Sequence, residues 1–336
     1  MATRKTRAEA SPEFLRGKPI PPQGQAGGYD QNWYPICLSR EVANGQIHGS
    51  EFLNGRVIVV RDPSGKAQVL SAYCRHVGAD LSGGDFINGQ VVCPFHKWGY
   101  DMSGQCVSTL TGDAPPENAR LFRFPTHEGF GLIWAFNGLK PLYDPPSLEI
   151  SEEEVDYLTE FDYVVDVDHF IPFSNSSDIQ HLRAVHKIEL DVAPEDIERW
   201  EGRMRYKQDM TVPGMPKMTQ VVNIFGTNCL TFETIMMGRR VFQMSAGKAI
   251  PGNRTIASMM SATPKSTGAP GEAEMVQAIL QQGMAFGRQL FAEDDPIMRR
   301  IRFRQDTLTQ TDRMLMSFLK YVREYPRTDI ACDMIA

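Results

Sequence analysis

Two short hooks, Cys74-x-His76 and Cys93-x2-His96, sit inside the stretch SAYCRHVGADLSGGDFINGQVVCPFHKWGYDMSGQC at 71–106. The chain has six cysteines and seven histidines in 336 residues, so finding two of each here calls for a chemical reason. Thiolates and imidazoles held in pairs are ligands for zinc or for iron. A structural zinc site is the plain alternative, but zinc fingers commonly draw both cysteines from one arm and both histidines from the other. Here each arm supplies one of each. That arrangement suits a [2Fe–2S] cluster in which two thiolates hold one iron and two neutral imidazoles hold the other. Exchanging negative thiolate for imidazole makes such a cluster easier to reduce than an all-cysteine one. Gly83, Gly84 and Gly89 allow tight turns between the hooks, and Pro94 stiffens the second.

A second constellation lies in NSSDIQHLRAVH (175–186), which reads Asn175-x2-Asp178-x2-His181-x4-His186. Two histidines and a carboxylate on one face of an iron leave coordination positions open for dioxygen and substrate. On an ideal helix, residues five apart point roughly 140° apart. The two imidazoles therefore converge only if the helix ends or bulges between them. The plain alternative is a row of polar side chains on a half-exposed helix. Asp178 is a candidate for the acidic ligand by proximity alone.

Together, CPFHKWGYDMSGQC and the downstream N-x2-D-x2-H-x4-H pattern resemble the Rieske non-haem iron oxygenases, over nearly the whole chain from about Trp33. The resemblance implies a Rieske [2Fe–2S] cluster on Cys74, His76, Cys93 and His96, and a mononuclear Fe(II) on His181 and His186. LFAEDDPIMRR (290–300) resembles the family's late acidic motif, in which an acidic pair precedes an apolar pair on a helix. Matching Ile297 and Met298 to that apolar pair places Asp294 on the iron, with Asp295 second and Glu293 third. The plain reading of all three is a solvated helix surface. By the same resemblance Asn175 lies near the iron without being a regular ligand. Asp178 would instead bridge the two metal sites across the interface of a head-to-tail homotrimer, between His181 and a neighbour's His96. A helix cap is the alternative for Asp178.

The activity implied is that of a terminal oxygenase. The chain shows neither the plant-type four-cysteine ferredoxin spacing nor a G-x-G-x-x-G nucleotide loop. Electrons are therefore expected from an external ferredoxin or flavin reductase drawing on NAD(P)H. The chain resembles the homotrimeric branch that includes O-demethylases and steroid hydroxylases. Monooxygenation is thus expected ahead of aromatic cis-dihydroxylation, and a non-catalytic redox or iron-sensing protein is the rival from another class. Fifteen of the 17 methionines lie beyond residue 200, a bias towards an adaptable pocket for an apolar aromatic, alkaloid or steroid-like ligand, or simply an irregular core.

These residues need elements to position them. GRVIVVRD (55–62) and KAQVLSAY (66–73) flank Pro63-Ser64-Gly65 as a hairpin, and QVVCPF (90–95) and FGLIWAF (130–136) add strands. An all-β unit spanning 30–145 is expected, preceded by a flexible arm at 1–29. YDPPSLEISEEE (143–154) reads as a linker into a catalytic unit at 146–336. In that unit, strand patterns at about 202–264, turning at Pro251-Gly252-Asn253, precede two helices broken around Asp295-Pro296. The fold class is α+β: a β domain, then an antiparallel sheet gripping a helix.

Composition narrows the partners. The net charge of −6 does not favour nucleic acid or an anionic membrane surface, and no apolar run reaches the length of a transmembrane helix. The basic, Pro- and Gln-rich amino terminus lacks the apolar stretch of a secretory signal; with Glu9 and Glu13 it reads as an arm rather than a transit peptide. Cys37, Cys106, Cys229 and Cys332 have no framework spacing, which fits buried thiols in a reducing cytoplasm, with Cys106 a neighbour of the hooks.

Overall fold

The computed structural model describes residues 19–336, apart from 193–196, 215, 237 and 306. In the first unit, β1 (Tyr29–Asp30) and β2 (Trp33–Leu38) lead to the meander β3 (Ile47–Phe52), β4 (Gly55–Arg61) and β5 (Ala67–Ser71). The predicted hairpin is the β4–β5 turn, where Gly65 takes φ 89°. A four-stranded sheet follows, from β6 (Asp85–Ile87), β7 (Gln90–Val92), β8 (Gly99–Tyr100) and β9 (Cys106–Ser108). The strand expected over 90–95 stops at Val92, because Cys93–Lys97 is spent on the second hook. β10 (Thr126–Gly129) and β11 (Leu132–Phe136) then close a third small sheet with β2.

The second unit is one eight-stranded antiparallel sheet. It runs β12 (Val155–Val165), β19 (Arg254–Pro264), β18 (Arg239–Ile250), β17 (Cys229–Met236), β16 (Met218–Phe225), β15 (Arg203–Thr211) and β13 (Glu189–Asp191), with β14 (Glu198–Trp200) beside β15. Alternation sets its faces: in β15, Met204, Tyr206, Gln208 and Met210 are buried, with intermediate or exposed residues between them. Between β12 and β13 stand two short helices, α1 (Phe170–Ser174) and α2 (Ile179–Ala184). The long helix α3 (Glu272–Met298) lies on the sheet. Gly283 and Gly287 seat it there: a Cβ would stand 2.2 Å from Ser261 Oγ at the first and 2.1 Å from Met259 Sδ at the second. α4 (Arg313–Glu324), β20 (Arg327–Thr328) and α5 (Cys332–Ile335) complete the chain.

Three expectations about organisation change. The helical break does not fall at Asp295-Pro296, for α3 runs through both to Met298. Proline in the last turn gives up a single ladder bond, and the helix survives it. The arm expected at 1–29 is packed where it is described: Ile20 is buried in the core of the second unit, Tyr29 pairs with Thr328, and Gln23 accepts from the Asp30 amide. Residues 1–18 lie outside the described residues. The linker at 143–154 is a strap pinned by buried side chains, with Tyr143 and Leu148 in one apolar cluster with Trp33 and Trp134 of the first unit and Phe225 and Phe242 of the second.

The two units also share a clasp. After α4 the chain returns to the first unit, so that β20 pairs with β1 and α5 packs on β4. Ala331 and Ile335 are fully buried in the same cluster as Phe52, Val57 and Val69. A Cβ on Gly55 would lie 1.8 Å from the Ile335 carbonyl, so only glycine permits this approach. The last residues of the expected catalytic unit thus sit in the first one. Lys248 of β18 crosses the other way, donating from Nζ to Ile36 O at 2.8 Å and Ser50 Oγ at 2.7 Å, with the Phe161 ring 5.0 Å away.

Candidate metal centres

The two hooks share one backbone design. In the first, Gly78 N–H donates to Cys74 O and Cys74 N–H to Ala79 O; in the second, Lys97 N–H donates to Cys93 O and Cys93 N–H to Trp98 O. The fifth residue of each, Gly78 (φ 82°) and Lys97 (φ 57°), takes the left-handed conformation that ends the turn. A lysine there carries no sequence signal for it. The thiols of Cys74 and Cys93 point into an apolar cluster with Leu81, Val91, Tyr100 and Cys106, which makes Cys106 the neighbour expected of it. Tyr100 hydroxyl lies 3.1 Å from Cys74 Sγ and accepts from Arg75 N–H at 2.9 Å, so its own proton is directed at the sulfur. Burial pushes the Cys74 thiol up, and Tyr100 pulls the other way by favouring thiolate.

The imidazoles lie on the outer side. Nδ1 of His76 and Nδ1 of His96 face each other at 3.2 Å, and His76 stacks on Trp98 with ring centroids 4.4 Å apart. Phe95, which is 64 % exposed, packs against His96 with ring centroids 3.7 Å apart. Two imidazoles turned nitrogen to nitrogen, beside two buried sulfurs, fit a cluster with one thiolate-held and one imidazole-held iron. Tyr100 and Trp98 were not singled out in the sequence, although both stand in its HKWGY run.

The second site resolves the spacing problem of His181 and His186 by ending the helix. α2 stops at Ala184; Val185 N–H bonds back to His181 O, and Lys187 turns through φ 61° so that Ile188 N–H reaches Leu182 O. The chain wraps round, and the two Nε2 atoms meet at 3.0 Å. From α3, Asp294 Oδ1 lies 3.3 Å from His181 Nε2 and 3.2 Å from His186 Nε2. Oδ1 is buried and yet receives no hydrogen bond of acceptable geometry among the described residues. A carboxylate oxygen and two imidazole nitrogens converging without a hydrogen bond to that oxygen fit a divalent cation of the iron type.

Neighbouring groups aim these ligands. Glu293 Oε2 lies 2.6 Å from His186 Nδ1, which keeps the proton on Nδ1 and leaves Nε2 its lone pair. The hydrogen bond with His186, and a second from Gln289, hold the Glu293 carboxyl below its usual range. Asn175 Nδ2 donates to Asp294 Oδ2 at 3.0 Å, so it orients the acid and is not itself among the three. Asp295 also borders the cavity but is paired with Arg299 at 2.7 Å and is not among the three converging groups. Asp178 Oδ1 accepts from His181 N–H at 2.9 Å, the capping geometry. The role of Glu293 was not read from the sequence; its one available signal was an acid adjacent to Asp294, on the flank facing His186.

The three groups open into a cavity of about 170 Å³ between the sheet and α3, lined among others by Phe173, Leu230, Met259 and Phe291. A set of groups able to hold a metal thus stands in the wall of an apolar cavity, on the same chain as the paired Cys and His hooks.

Comparison with known proteins agrees. A Rieske [2Fe–2S] domain is matched at residues 32–121. The chain is 32 % identical over 192 residues to a cholesterol 7-desaturase of Bombyx mori, covering 55 % of this chain and 40 % of that protein. It is 33 % identical over 126 residues to the oxygenase component of a 3-ketosteroid-9-alpha-monooxygenase of Rhodococcus rhodochrous, covering 38 % of this chain and 33 % of that one. The matches thus span well under half the length of either relative. Among solved structures, NdmA of Pseudomonas putida CBB5 with caffeine superposes with a TM-score of 0.70 at 19 % identity, over 88 % of this chain and 90 % of the other. The chain carries a Rieske [2Fe–2S] domain within the overall fold of the Rieske oxygenases, and the resemblance read from its sequence holds.

Proposed function

We propose that this chain is the oxygenase component of a Rieske system that monooxygenates an apolar organic substrate, by hydroxylation or oxidative demethylation. The observation that carries the reading is the convergence of His181, His186 and Asp294 in the wall of an apolar cavity, on a chain that also holds the Rieske hooks. In this reading Cys74, His76, Cys93 and His96 hold the cluster, and His181, His186 and Asp294 hold a mononuclear iron. Such an iron, when bound, supplies dioxygen activation with electrons passed from the cluster.

The chain's own residues do the rest. Glu293 and Asn175 fix the orientation of His186 and Asp294, Asp178 caps the helix that presents His181, and the apolar walls exclude water from the reacting end of the substrate. Electrons come from an external ferredoxin or flavin reductase. The steroid and caffeine named for the relatives make a fused-ring apolar substrate the first to try. A head-to-tail homotrimer in the cytoplasm completes the reading; there Asp178 would also accept from a ring nitrogen of the partner's cluster site.

Substrate-dependent oxygen uptake by the iron-loaded chain, with a ferredoxin and reductase and a panel of fused-ring compounds, tests the proposal. Uptake coupled to a singly oxygenated or demethylated product is expected. Reversible cluster reduction with no substrate-dependent uptake would favour a redox or iron-sensing protein, and a cis-diol product a dioxygenase.

A further inference from the structure

Three groups outside both centres converge where the first unit meets the second. Cys37 Sγ from β2, a carboxylate oxygen of Glu41 from the single turn Ser39–Glu41 and a ring nitrogen of His48 from β3 all lie within 4.8 Å of one another. β2 and β3 touch here, and both meet β18. The surroundings grade from dry to wet: Cys37 is only 2 % exposed, His48 is half-buried and Glu41 is exposed. An ion held by the three has protein on its thiol side and solvent on its carboxylate side.

The atoms a metal needs are not engaged elsewhere. Among the described residues no hydrogen bond reaches Cys37 Sγ or the ring nitrogens of His48. Glu41 Oε2 accepts from Leu38 N–H at 3.0 Å, which aims the carboxylate and leaves Oε1 without a donor among the described residues. Burial pushes the Cys37 thiol up to about 12, so a metal must displace its proton, as at any thiolate site. Lys248 stands beside the group and favours the thiolate, but its ammonium donates to Ile36 O and Ser50 Oγ and takes up none of the three. Its charge opposes a cation; the Cys37 thiolate and Glu41, with Glu51 near Lys248, oppose it in turn.

We propose that Cys37, Glu41 and His48 bind a divalent cation of the zinc type, with water in the position that faces solvent. Thiolate, imidazole and carboxylate are the three kinds of protein ligand that zinc takes, whereas calcium and magnesium take oxygen. The bound ion would tie β2 to β3 beside the crossing of Lys248. The site shares no residue with either iron centre and does not depend on the oxygenase reading.

The test is zinc titration into the full chain with its iron in place, read by competition with a chromophoric chelator and by X-ray absorption at the zinc edge. One zinc per chain should bind with iron count and cluster spectrum unchanged, and its shell should hold a single sulfur at about 2.3 Å. Cys37→Ser should remove that sulfur. Glu41→Gln, which keeps an oxygen for Leu38 N–H, and His48→Gln should each weaken zinc about tenfold or more, at least what losing an outer hydrogen-bond partner costs. Neither of these two lies in the core, and circular dichroism confirms their fold, so they decide the matter even where Cys37→Ser fails to fold. His181→Ala combined with His186→Ala should bind the same zinc with the same sulfur, which separates this site from the mononuclear centre. A zinc shell without sulfur, or affinity unmoved by folded Glu41→Gln and His48→Gln, means an adventitious ion only and overturns the proposal. Two sulfurs with loss of iron, the mark of zinc in the hooks, overturns it as well.

Discussion

Asp294 and Asp295 are neighbours in sequence with different work to do, because successive helical residues point about 100° apart. Asp294→Ala, His181→Ala and His186→Ala should each lose the mononuclear iron, while the cluster's visible spectrum stays unchanged. Asp295→Ala gives up an exposed ion pair with Arg299 and removes none of the three converging groups, so it should keep the iron. Iron counted per chain checks both: three in wild type and in Asp295→Ala, two in the others. Glu293→Gln should lie between, with iron affinity down roughly 10- to 100-fold, because an amide in place of the carboxylate weakens the hold on His186 Nδ1–H. Competition with a chelator measures it. The four hook residues and the two histidines were legible because their types are rare and their spacing is chemical. Glu293 was not, since an acid that serves a ligand and an acid that faces water have the same letter.

At the scale of elements, the convergence of His181 and His186 depends on where α2 stops. Lys187 sits at φ 61°, a conformation that costs a side-chain-bearing residue roughly 1–2 kcal/mol. Lys187→Gly should therefore keep the iron and melt no lower than wild type. Lys187→Pro, unable to adopt a positive φ, should swing His186 out and lose the iron. Calorimetry with metal analysis separates the two outcomes. The sequence required a helix end or bulge between the histidines but could not say which, because no glycine marks the turn. The same gap hid the length of α3. Asp295-Pro296 looks like a break, yet a proline in the last turn is tolerated, and Gly283 and Gly287 serve close contact with the sheet rather than ending the helix.

In the whole molecule, the strands and order of the two units could be read from alternation and turn residues. Their shared core could not, because nothing local marks Tyr143, Leu148 or Ile335 as partners of distant strands. Like the buried Asp30–Arg327 pair, Lys248 is a charged part of that junction. Burial lowers its ammonium from 10.5 to about 8, so the folded state sheds a proton that the unfolded chain keeps. Between about pH 8 and 10.5 the unfolded chain binds more protons, and this group's contribution to stability rises with pH, by at most about 3 kcal/mol. Lys248→Met should flatten that rise relative to wild type, as denaturant midpoints at pH 7.5, 9 and 10 would show. Ile335→Ala should cost roughly 2–5 kcal/mol although it lies far in sequence from the strands it covers, and urea titration would register it.

The clasp formed by β20 and α5 also sets an order of assembly. The apolar cluster beneath the hooks is drawn from residues 47–121, all of them made long before synthesis reaches Ala331. The cluster around Phe52 and Val57 waits for those last residues. A nascent chain paused between these points would offer folded hooks to an iron–sulfur donor while the rest of its first unit still stood open, so cofactor delivery need not wait for the chain to leave the ribosome.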